Sequence, residues 1–151
     1  MSAKVIPDKI HLVGFRILHA EMNSPFEFDM QQIGSFENDV KFDMSFNLED
    51  AMVKADFDVK IKTVSLEKTK IEEATAAFSF VYIFHVENFK DLAKVLDDDS
   101  LDIHGGLSNA LASIVYSTSR GILMTRFQGT VLSDFILPVI NPNDLLEKGS
   151  K

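Results

Sequence analysis

Apolar and polar residues alternate at every second position through much of the first half of the chain. Residues 40–47, VKFDMSFN, set Val40, Phe42, Met44 and Phe46 against Lys41, Asp43 and Ser45. Residues 53–64 do the same, with Val53, Ala55, Phe57, Val59 and Ile61 opposing Lys54, Asp56, Asp58, Lys60 and Lys62. A period of two puts each set on one side of a pleated strand, so both stretches predict half-buried antiparallel strands. Residues 9–23 predict another strand: Ile10, Leu12, Leu18, Ala20 and Met22 share one parity, Phe15 and Ile17 the other, and Gly14 is where a bulge can exchange the faces. Ser24-Pro25 and the polar stretch 29–39 read as a long connection, and 66–73 as a shorter link between neighbouring antiparallel strands. Residues 76–86, AAFSFVYIFHV, differ from the rest because both faces are apolar. Ala76, Phe78, Phe80, Tyr82, Phe84 and Val86 lie on one side and Ala77, Val81 and Ile83 on the other, so this strand calls for cover twice.

After Glu87 the period lengthens. FKDLAKVL, residues 89–96, predicts one or two helical turns, followed by the acidic run 97–102. Residues 107–127 predict a long helix whose buried stripe is Leu107, Leu111, Ile114, Thr118 and Ile122. Ser113, Ser117 and Gly121 form a second stripe of small residues. Small residues admit another backbone, so helix–helix contact between subunits and a close contact within the chain both fit. Gly129 is a natural helix stop, 130–140 reads as an extended apolar connection, and Asn141-Pro142 starts a short final helix. Four strands in succession before any long helix favour an α+β domain over a βαβ fold, and one domain spanning 1–151 accounts for the whole chain.

Composition narrows the function. With 46% hydrophobic and 25% charged residues, the 151-residue chain is globular rather than disordered. A net charge of −8 without a basic cluster opposes binding to nucleic acid. There is no Cys, so disulfide and thiolate chemistry are excluded. Asp8, Lys9 and His11 interrupt any signal-peptide core, and the apolar run 76–86 is about half the ~20 residues of a membrane-spanning helix. A soluble cytoplasmic protein without membrane insertion is the expectation. His11, His19, His85 and His104 fall into no metal-ligand spacing, the serines at 113, 117 and 119 sit in no nucleophile elbow, and no phosphate-binding glycine loop is present. Asp56 and Asp58 alternate with lysines, as on a solvated sheet face, and Asp97–Asp99 reads as a solvated loop. No catalytic constellation emerges, so neither an enzyme nor a cofactor or metal site is expected. The excess of apolar surface is the informative feature.

The last third resembles the carboxy-terminal region of the SecB family of export chaperones. The residues that carry the likeness are Tyr116 and Arg120 on the helix, then Gly129 and Thr130, then Phe135, Leu137, Pro138 and Val139, then Asn141 and Leu145. DVKFDMSF (39–46) is similar to the family's second strand and VENFKDL (86–92) to its strand-to-loop crossing. The resemblance implies a four-stranded antiparallel sheet with a long helix, two subunits joined in an eight-stranded sheet, and dimers paired through their long helices into a homotetramer. It also implies ATP-independent capture of unfolded preproteins in apolar grooves, to which Val81, Ile83, Phe89, Phe135 and Leu137 are assigned, with Ser113, Ser117 and Gly121 at the contact between subunits. The SecA ATPase is an implied partner, but the strand 76–86 has no carboxylate between Glu73 and Glu87, where the family's export members carry one for SecA docking. A chaperone dedicated to one partner, such as a toxin–antitoxin pair, is the alternative within the family. Outside it, a small apolar-ligand carrier and a purely structural oligomer use the same surplus surface.

Overall fold

A computed structural model describes residues 4–66 and 72–149. Four long strands make one antiparallel sheet: β1 (Ile10–Asn23), β2 (Ile33–Asn47), β3 (Met52–Ser65) and β4 (Thr75–Val86). Their spatial order is β1-β4-β3-β2, which leaves β1 and β2 as the edges. One helical turn, α1 (Phe89–Leu92), leads into a two-stranded ribbon of β5 (Ala93–Val95) and β6 (Leu101–Ile103). The long helix α2 (Gly105–Arg126) and the final helix α3 (Pro142–Gly149) follow. The architecture is α+β: a four-stranded antiparallel sheet with one long helix and a short C-terminal helix on one face.

The alternation in β3 works as the sequence requires, with Val53, Ala55, Phe57, Val59 and Ile61 all buried. β1 is more elaborate. Its register against β4 shifts twice, between Leu12 and Gly14 and again between Ile17 and His19. Val13 and Leu18 are therefore extra residues, and Ile10, Leu12, Phe15, Ile17, Ala20 and Met22 all stand opposite the core-facing side of β4. Parity counting anticipates the bulge at Gly14 but not the second one, so it sets Leu18, Ala20 and Met22 on the face opposite Phe15 and Ile17, whereas Ala20 and Met22 share the face of Phe15 and Ile17.

Three other expectations change. Residues 33–39 are strand, not connection, with Phe36 opposite Thr63 and Glu37 opposite Lys62. This end of β2 lacks alternation because it is an edge, and the β3 ladder orders it without a buried side-chain row. Only 89–92 is helical; 93–95 turns back on 101–103 around the acidic loop. In α2 the buried residues are Leu107, Leu111, Ala112, Val115, Tyr116, Ser119 and Leu123, whereas Ile114 and Ile122 are half-buried and Thr118 is exposed. The core-facing stripe was hidden by Ser119, a polar residue whose Oγ lies 2.6 Å from the buried Tyr82 hydroxyl.

The helix ends at Arg126, and Gly129, at φ +77°, serves the turn that follows rather than the helix stop itself. Asn141 caps α3 as expected, its Oδ1 accepting from the Asn143 N–H at 2.9 Å. Most of the link at 66–73 lies outside the described residues, but its far end is clamped to β3. Glu73 accepts from the hydroxyls of Thr63 (2.7 Å) and Ser65 (2.9 Å) and from the Ser65 N–H (3.0 Å).

Candidate functional site

The helical layer covers the sheet unevenly. α2 lies over β3 and β4, where the Tyr116 and Phe127 rings meet Phe57 and Phe78 edge-on and the Tyr82 hydroxyl meets Ser119. α3 and the segment before it lie over β2, with Phe135 against Phe36. β1 is left out. Leu12, Phe15 and Ile17 point to the core side, yet all remain exposed, as do the bulge residues Val13 and Leu18. β1 is also an open edge of fourteen residues, so an unpaired backbone row adjoins an uncovered apolar row. The opposite edge differs: Glu37, Asp39, Lys41 and Asp43 decorate β2.

The second face of β4 meets no further layer among the described residues. Val81 stands between Arg16 and Asp56, Ile83 between Gly14 and Lys54, and Ser79 between His19 and Asp58. The exposed Arg16 and Lys54 and the half-buried Asp56 and Asp58 thus border a narrow apolar row.

The residues assigned to a groove do not converge. Phe89, Phe135 and Leu137 are closed in the core, with Phe89 beside Phe46 and Phe135 between Phe36 and Phe127. Val81 and Ile83 belong to the opposite face, although Ile83 reaches a shallow hollow it shares with Phe46, Met52 and Val53. Along 135–139 the extended backbone turns Phe135 and Leu137 inward and presents Ile136 and Val139 outward, the latter 86% exposed. The sequence held only part of the signal: Phe135, Ile136 and Leu137 alternate as in a strand, but Val139 breaks the period after Pro138, and because almost every position is apolar, pattern alone does not tell inner from outer.

Between α2 and this segment lies a small cavity of about 80 Å³, walled by Ala112, Tyr116, Val139, Ile140 and Leu145, with Arg120 also in its lining. The Tyr116 hydroxyl donates to the Pro138 carbonyl at 2.5 Å, which pins the segment to the helix. Burial raises the Tyr116 pKa and the nearby Arg120 charge opposes that rise. Ser113 and Ser117 also line the opening, while Gly121 is exposed with open space around it.

His11 Nε2 lies 2.5 Å from Glu87 at the exposed end of β1, its ring stacked on His85, and the hydrogen bond holds the Glu87 carboxyl below its usual pKa. Burial pushes the Tyr82 hydroxyl up, with the Ser119 hydrogen bond opposing it. Among the described residues, no group of His, Asp or Glu is placed to hold a metal ion, and no helix is long and apolar enough to cross a membrane.

No protein-family profile matches the sequence, and no curated protein matches it. Among solved structures, the chain is similar to a SecB-like chaperone of Mycobacterium tuberculosis in complex with a ChAD peptide from an antitoxin. The two are 14% identical, the match covers 88% of this chain and 91% of that one, and the TM-score is 0.56. The fold is SecB-like. A protein of unknown function from Streptococcus agalactiae aligns over 86% of this chain and 97% of its own at 10% identity, with a TM-score of 0.35.

Proposed function

We propose that this protein is an ATP-independent holdase that captures unfolded polypeptide on apolar surface, and that copies first pair through β1. The observation that carries this reading is the apolar surface the folded chain leaves in water. Leu12, Val13, Phe15, Ile17 and Leu18 line one open edge, and Ile136 and Val139 line the segment beside α2. Pairing of two β1 edges joins two four-stranded sheets into one of eight and buries the first set. Gly121, exposed on α2 outside the cavity lining, marks where dimers meet in a tetramer. The second set stays open for clients. Burial of one client Leu or Phe contributes ~2 kcal/mol gross, and ordering a flexible chain removes much of that, so tight capture requires several segments on several subunits. Phe135 and Leu137 then hold the capture segment in place, and Ile136 and Val139 touch the client. This role uses no cofactor and no catalytic step, and it belongs in the cytoplasm, where preproteins await the Sec translocase.

The bound antitoxin peptide in the mycobacterial structure favours a second reading, a chaperone dedicated to one partner. The β4 surface supports it too, since the stretch between Glu73 and Glu87 has no carboxylate for docking SecA.

Light scattering by a chemically denatured preprotein during refolding tests the proposal. The wild-type protein at stoichiometric amounts should suppress aggregation. The double variant Ile136→Asp/Val139→Asp, altered only at exposed positions, should need about ten times more protein. Aggregation unaffected by the wild type would overturn the reading.

A further inference from the structure

The cavity between α2 and the 139–145 region combines features that a general apolar surface lacks. Its lining is mostly apolar, from Ala112, Val139, Ile140 and Leu145, and Arg120 lines it as its one charged residue, beside Ser113 and Ser117. Arg120 makes no ion pair among the described residues. The walls are held before any ligand arrives, because Tyr116 donates to the Pro138 carbonyl and Asn141 caps α3. A site formed in advance loses less on binding than one that must be ordered.

From this geometry we infer that the cavity is a selective subsite for polypeptide, seating one aliphatic side chain whose immediate neighbour in the partner sequence is a carboxylate. The volume sets the first half of the specificity. About 80 Å³ accepts a Val-, Leu- or Ile-sized group. Val139, almost fully exposed at the mouth, extends the apolar contact to the adjoining backbone. The charge sets the second half: a guanidinium beside an apolar pocket pairs with a carboxylate in a fork of two hydrogen bonds and repels Lys or Arg at the same place. The chain as a whole carries −8, so its long-range field draws basic segments. Arg120 therefore acts locally, selecting which residue of a captured segment seats in the cavity and so fixing its register.

The inference rests on the holdase reading for its partner, an extended polypeptide, and its test separates the two. Three otherwise identical dye-labelled unstructured peptides carry a central Leu followed by Glu, Gln or Lys, and their binding is read by fluorescence anisotropy. The wild type should bind the Glu peptide about 3- to 10-fold more tightly than the Lys peptide, the range of a partly exposed ion pair plus relief of repulsion, and added salt should shrink the difference. Arg120→Gln should abolish the preference and Arg120→Glu should reverse it. Val139→Lys, at an exposed position that leaves the fold intact, should increase it. Equal binding of the three peptides by the wild type, or an unchanged order in Arg120→Gln, overturns the inference. If that happens while the protein still suppresses aggregation, the holdase reading stands alone. If the preference follows residue 120 but denatured preprotein aggregates freely, the subsite stands and the general holdase falls.

Discussion

Replacing Ile17 by Glu should separate the subunits without unfolding them. Ile17 faces the core side of β1 opposite Phe80, yet α2 does not reach it, and 37% of its surface is exposed. Its neighbours in the uncovered set range from 38% for Phe15 to 63% for Leu18. For side chains of ~150–200 Å², such fractions leave roughly 400 Å² of apolar surface per copy across the five residues. At ~25 cal/mol per Å² this area is worth about 10 kcal/mol gross per copy when paired, comparable to the cost of association. A carboxylate at residue 17 loses its share of that burial and places an unpaired charge in a dry interface, and two-fold symmetry repeats the change on both copies. The dimer constant should weaken by at least about 100-fold, or ~3 kcal/mol. In the separate subunit the new charge still reaches water, so thermal unfolding of the variant should remain cooperative. Sedimentation equilibrium over a hundredfold range of concentration reads the result. A wild type that stays a single subunit throughout, or a variant of unchanged mass, would refute the reasoning.

Two further predictions concern what holds the frame. Tyr82 and Ser119 are both fully buried and share the hydrogen bond that joins β4 to α2, so Tyr82→Phe should cost about 1–3 kcal/mol in urea unfolding by stranding the Ser119 hydroxyl. The pair Tyr82→Phe/Ser119→Ala should cost less than the sum of the single changes; strict additivity would mean the bond contributes nothing. Glu73 is desolvated, which raises its pKa, but hydrogen bonds from Thr63 and Ser65 outweigh this and the net shift is downward. A lowered folded-state pKa contributes stability that is complete above the unfolded-state value and is lost as pH falls through the folded one. The stability difference between wild type and Glu73→Gln should therefore be greatest near neutrality and shrink below about pH 4.5; a difference that does not change with pH would exclude the clamp.

Much of the frame was legible in the residues because two periods are visible without any tertiary knowledge. Val53 to Ile61 alternate at two, Leu107 and Leu111 mark a helix, and Asn141-Pro142 announces α3. The order of types, strands then helix, sufficed for the α+β class. What went unseen was local in a different way. The Leu18 bulge, the strand at 33–39 and the β5–β6 ribbon are fixed by backbone pairing, which leaves little trace in side-chain pattern.

The candidate site divides along the same line. Sequence alone marked 76–86 and 135–140 as carrying more apolar residues than one sheet face can hide. Only the tertiary structure decided where the surplus goes, because burial depends on which element lies above which strand. α2 closes over Tyr82 through Ser119, Phe127 just beyond it covers Phe78, α3 takes β2, and the middle of β1 is left bare. Likewise Arg120 and Val139 are nineteen positions apart in the chain, and they meet at one cavity because Tyr116 ties the returning segment to the helix.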